Sequence, residues 1–174
     1  MKRSLFFYEL GGYTFSMAFG TLLHFLYEFT GSVLVTPISA VNESTFEHMK
    51  ILFFPMLFYA VFEWFFLKEE YKNFWTSKLL GTLLAVTLIP VLFYTFKGSF
   101  GEPPAFLNII FFFLSGGVGY FYETKLLKGG KGEKLSVIAF ASIIIIAISF
   151  SVLTYFPPKL PLFLDPIYNT YGLV

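Results

Sequence analysis

The sequence predicts an all-α, polytopic transmembrane bundle of five helices, with the amino terminus inside and the carboxyl terminus outside. Three observations predict it. The chain of 174 residues is 56% hydrophobic and 22% aromatic, but only 13% charged, where a soluble domain carries about 25% charged residues. Five segments, roughly 10–30, 46–67, 77–96, 105–122 and 135–156, approach the about 20 apolar residues needed to cross the hydrocarbon core. The basic residues alternate with the crossings: nine (Lys2, Arg3, Lys68, Lys72, Lys78, Lys125, Lys128, Lys131 and Lys134) fall on one side, and three (Lys50, Lys97 and Lys159) on the other. The richer side is the cytoplasmic one.

The rest of the composition narrows the classes. The apolar composition makes the lipid bilayer the partner, and a net charge of +1 gives nothing for nucleic acid. The absence of cysteine excludes disulfides, thiolate metal sites and cysteine nucleophiles. The start "MKRSLFF" has the basic flank of a signal peptide, but "YELGGY" interrupts the apolar run and no small-x-small site follows. It reads as the retained flank of the first helix. No internal repeat marks an inverted-repeat transporter. Residues 1–174 read as a single transmembrane domain, with the Pro-rich tail 157–174 folding over the outer helix ends.

The first helix carries Gly12, Ser16, Gly20, His24 and Glu28 at a constant spacing of four. That is one ridge of a helix. In lipid, small residues on such a ridge let a neighbour approach, and His24 and Glu28 then stand at the outer mouth of the contact. The second helix opens with "NESTFEHMK". Ser44 and Glu47 form the pattern of a capping box. Capping accounts for neither Glu43 before it nor His48 and Lys50 after it. Pro55 and Pro90 are expected to kink the second and third helices. "SGGVG" (115–119) allows close packing of the fourth, and the uncharged fifth faces lipid on much of its surface.

Orientation gathers the unusual residues. Both histidines, His24 and His48, lie on the outer side together with Glu28, Glu43, Glu47, Lys50, Glu102 and Asp165. The short connection makes the first two helices neighbours. His24, Glu28, Glu43 and His48 are then a candidate ligand set for zinc, manganese or iron, with Glu43 or Glu47 as general base on bound water. Asn42 and Lys50 flank the set. The same residues would serve equally as the mouth of an ion or solute pathway, or as a polar network that only fixes the fold. A pathway finds few polar residues through the bilayer, and five helices would line a pore only as a homo-oligomer. On the inner side Glu9, Glu63 and Glu123 each have a basic neighbour in sequence, Arg3, Lys68 and Lys125. Interfacial pairing accounts for them, with Glu63 the best inner candidate for a proton path.

"HFLYEFTG", "VNESTFEHMKILFFP" and "PLFLDPIYNTYG" together resemble a family of small bacterial integral membrane proteins classed only as a domain of unknown function. The resemblance covers nearly the whole chain. That pattern has proline before Val-Asn-Glu-Ser and tryptophan within the block, where this chain has Ala40 and Phe46. The family implies no activity. It implies that the tail belongs with the outer residues, with Asp165 and Tyr168 over them.

Overall fold

The computed structural model describes residues 4–173. Five helices make up the chain: α1 (Leu5–Thr30), α2 (Thr45–Leu67), α3 (Phe74–Phe100), α4 (Ala105–Gly129) and α5 (Ser136–Tyr155). Two short 3₁₀ turns, Glu133–Leu135 and Pro161–Phe163, precede and follow α5. Among the described residues there is no strand, only an isolated bridge between Leu164 and Tyr171.

Local chemistry sets the helix ends. α1 stops at Gly31, whose left-handed backbone (φ 60°) turns its N–H onto Tyr27 O, the usual glycine exit from a helix. α2 starts on Ser44, whose hydroxyl accepts the Glu47 N–H at 3.4 Å. The capping box is only half formed. Ser44 N–H donates to Asn42 Oδ1 at 2.9 Å instead, and the Glu47 side chain turns inward. α2 and α3 run on through Pro55 and Pro90 as single helices.

α1 to α4 form a ring in which α4 closes back on α1, and α5 packs outside it against α3 and α2. α2 is the most enclosed helix and α5 the least. Leu52, Phe53 and Met56 of α2 fill the centre, against Leu23 of α1, Ala85 of α3 and Phe112 of α4. The small residues foreseen as packing ridges are where the close approaches occur. Gly20 faces the Phe112 ring and Ile51 O, and Gly119 faces Ala85 and Gly81 O. Ser16 and Tyr120 share a hydrogen bond of 2.8 Å between α1 and α4.

Four helical segments, α2, α3, α4 and Glu133–Tyr155, are long and apolar enough to cross a membrane. α1, with 26 residues, is long enough too, but Glu9, His24, Glu28 and its glycines dilute its apolar character. Many large apolar side chains face outward, among them Phe62, Phe65, Ile109, Phe121 and Ile145. Such a surface belongs in lipid and not in water.

Candidate metal centre

The α1–α2 connection folds back against α1, where Ala40 N–H donates to Leu23 O at 3.2 Å. That turn carries Glu43 to a point between His24, one turn and a half before the end of α1, and His48, in the first turn of α2. Glu43 Oε2 lies 3.6 Å from His24 Nε2 and 3.7 Å from His48 Nε2. The two imidazole centroids are 5.2 Å apart. One donor atom from each of the three residues falls within 4.8 Å of the others. A tetrahedral zinc ion, with bonds of about 2.0–2.1 Å, holds its donors roughly 3.4 Å apart, so a small contraction would close these three on one ion.

The ring of His48 is oriented from behind. Its Nδ1 is 2.9 Å from Ser44 O, and a carbonyl oxygen only accepts. Nδ1 therefore carries the proton, and the Nε2 lone pair faces Glu43, the arrangement by which metal-binding histidines are commonly held. His24 Nδ1 is buried without a hydrogen-bond partner. The His24 imidazole beside Glu43 holds its carboxyl below the usual carboxylate range.

The tail clamps this turn from above. Asp165 accepts the Glu43 N–H at 3.3 Å, the Ile167 N–H at 2.7 Å and the Tyr168 N–H at 3.2 Å. Asn42 Nδ2 donates to Gly172 O at 2.8 Å. The Phe163 ring lies 4.4 Å from that of Phe46. Asp165 is spent on three amides and thus positions Glu43 by its backbone. The Tyr168 side chain is exposed.

Three of the anticipated residues stand elsewhere. Glu28 is exposed on α1 and lies outside the group of three. Glu102 is exposed and pairs with Lys97. Glu47 is buried in an ion pair with Lys50 at 2.6 Å. It also accepts from Val41 N–H at 3.1 Å and from the Thr154 hydroxyl at 3.3 Å. Lys50 Nζ further donates to Thr36 O at 2.9 Å and to Thr154 Oγ1 at 2.6 Å. Glu47 is not free to serve as a base. The reason is helical: positions 47 and 50 share a face of α2 that turns toward α5, whereas 48 turns toward α1.

The histidines and Glu43 lie at the polar end of a cavity of about 490 Å³ between α1, α2 and α4, otherwise walled by residues such as Phe25, Ile51, Ile109 and Phe112. A smaller cavity of about 240 Å³, reaching Pro166 and Ile167 of the tail, shares Glu43 and His48 with it. Asn108 lines both, and its Oδ1 is buried without a partner. The sequence reading had not placed Asn108 in the site. Its signal was its isolation, as the lone asparagine in the apolar run of α4.

Residues 7–173 match the model of a family of unknown function, DUF6512. The chain belongs to that family. No curated protein and no solved structure matches it.

A second polar cluster in this DUF6512 chain lies near the start of α1. Lys78, counted from the sequence among the basic residues that mark the cytoplasmic side, is buried on the first turns of α3. Its Nζ lies 3.0 Å from Glu9 Oε1 and 2.9 Å from Glu123 Oε2, and it pairs with Glu63 as well. Among the described residues, the pairings expected from sequence neighbours do not form. Lys68 sits over the Trp64 ring and Lys125 over the Phe121 ring, and Arg3 lies outside the described residues. Nearest basic neighbours in sequence point outward from the helix ends, whereas the three glutamates point into the ring.

Proposed function

We propose that this is an integral membrane protein whose His24, Glu43 and His48 bind a divalent transition metal (zinc, manganese or iron), and that it is a metal-dependent hydrolase of an amphipathic substrate. The observation that carries this reading is the meeting of three convergent donors with the end of a large apolar cavity. Three protein ligands leave a coordination position open, as catalytic rather than structural zinc sites do. The apolar walls suit the chain of a lipid-like molecule. Bound there, the metal would supply a water acidified to near neutral pH and a Lewis acid for a carbonyl or phosphoryl oxygen. His24 and His48 would hold it through Nε2. Glu43 would complete the set or, shifting to a hydrogen bond, hold the proton of the attacking water. Asn108 would bind the polar part of the substrate beside the ligands.

The chain is further proposed to cross the cell membrane five times, with the amino terminus in the cytoplasm and the histidines at the outer face. α1 lies in the ring, packed against both α2 and α4. Removing the two buried lysines from the count of basic residues leaves eight against two, and the bias still points the same way.

The test is elemental analysis of detergent-purified protein, prepared without chelator and loaded with zinc, manganese or iron(II). One metal per chain in the wild type, with loss in both His24→Ala and His48→Ala, is the expected result. A metal-free wild type after loading, or retention in both variants, refutes the assignment. A metal-binding protein that turns over no ester, amide or phosphoester amphiphile in mixed micelles refutes the hydrolase reading alone.

A further inference from the structure

The cluster around Lys78 has no part in the metal reading. It lies about 22 Å further back along α1, by the 15 residues between Glu9 and His24 at about 1.5 Å each. Glu9 of α1, Glu63 of α2 and Glu123 of α4 converge there on Lys78 of α3, with side chains 5%, 0%, 1% and 2% exposed. One ammonium offsets one of three carboxylates. Among the described residues, the other titratable groups near it are phenols: Tyr59 of α2 with Tyr8 beside it, Tyr120 of α4, and Tyr71 of the α2–α3 turn. α5 contributes none in its length. Tyr120 is engaged with Ser16, and Thr82 gives Glu123 one long hydrogen bond of 3.4 Å.

Two oxygens point to what is missing. Glu9 Oε2 and Glu63 Oε1 are buried with no hydrogen-bond partner. A buried carboxylate oxygen without a donor is costly, and two uncompensated charges beside each other inside a bundle are costlier. The same oxygen carrying a proton becomes an O–H that can donate to a neighbouring carboxylate. Carboxyls forced together are known to share protons for this reason.

We propose that Glu9, Glu63, Glu123 and Lys78 form a proton-binding site that holds two protons at neutral pH. Taking up each proton converts one carboxylate to a carboxylic acid, so that the cluster passes from a charge of −2 to 0. The protons belong to the group of three carboxyls and not to one named glutamate. Intramembrane carboxyls so placed are the usual carriers of protons in membrane proteins.

Infrared spectroscopy of the purified protein, with and without carbon-13 glutamate, tests this. The wild type at neutral pH is expected to show isotope-sensitive carboxylic-acid C=O intensity equal to two carboxyls. The double variant Glu63→Gln/Glu123→Gln should remove it. Glutamine has the shape of the protonated acid, so Glu63→Gln and Glu123→Gln should each unfold at the wild-type temperature or above. Absence of the band at neutral pH overturns the proposal, as does its persistence in the double variant. Loss of the fold in either single variant overturns it too, because an ionised, paired carboxylate was then needed. A bound metal ion that Glu63→Gln releases and His48→Ala keeps would show that a metal cation, not protons, neutralises the site.

Discussion

Lys50→Met should be among the most damaging single substitutions in the chain, although it is nearly isosteric and removes only an ammonium. Lys50 and Glu47 are 0% and 1% exposed and 2.6 Å apart. Deleting the ammonium takes from Glu47 its only counter-charge. What is left to it is the Val41 N–H and the Thr154 hydroxyl. Thr36 O also loses its donor. Breaking a buried pair from one side costs about 3–5 kcal/mol, roughly three powers of ten in the folding equilibrium at about 1.4 kcal/mol per decade. Glu47→Gln/Lys50→Met removes both charges and should recover most of that loss, because the amide can turn its oxygen to the Val41 N–H and its NH2 to Thr154 Oγ1, whose hydroxyl can still donate to Phe150 O. The assay is reversible unfolding in mixed micelles, run as a double-mutant cycle with metal content measured alongside. A loss below about 1 kcal/mol in Lys50→Met, or a double variant no better than the single, would refute the account of this pair as a structural lock. Loss of metal from a well-folded double variant would return Glu47 to the site.

Metal affinity should fall in acid. The His24 neighbour holds the Glu43 carboxyl below its usual range, so Glu43 stays ionised as the pH drops from 7 to 5 and only the imidazoles take up protons. Titration calorimetry across this range should show affinity decreasing as the imidazoles take up protons, steepening toward roughly a hundredfold per pH unit once both compete with the ion; an affinity that does not change with pH would take the histidines out of the site. Asp165→Ala strips the anchor from the Glu43 amide and should weaken metal binding by roughly ten- to a hundredfold, an effect that unchanged affinity would rule out. In Gly119→Ala the new methyl would stand 2.7 Å from Ala85 Cβ and 3.0 Å from Gly81 O, and thermal unfolding should report about 1–3 kcal/mol of overpacking. Phe163→Ala empties a nearly buried place against Phe46 and should cost about 3–5 kcal/mol, with faster proteolysis of the tail as its visible sign.

Much of the fold was legible because it rests on local rules. Hydropathy marked the helices, Ser44 marked the start of α2, and the short α1–α2 connection put His24 beside His48. Where contacts are distant in sequence, local reading failed. Glu47 was taken for a capping and catalytic group, but its partner Thr154 is 107 residues away. Lys78 counts by its position as one more cytoplasmic basic residue at a helix end, but its partners Glu9 and Glu123 are 69 and 45 residues off. Nothing periodic connects four helices that each bring one charge. Glu28 misled for the opposite reason: the spacing of four puts it on the ridge of His24, but α1 outlasts the bundle there and leaves the carboxylate in the open.

The burial of Lys78 also sets an order of events during synthesis. When α3 leaves the ribosome, the chain has already delivered two of the lysine's partners, Glu9 and Glu63. Glu123 arrives one helix later. α1 and α2 together would offer α3 a half-built receptacle, which α4 closes. The ring of a protein this small is thus completed around one lysine, by two carboxyls made before it and one made after.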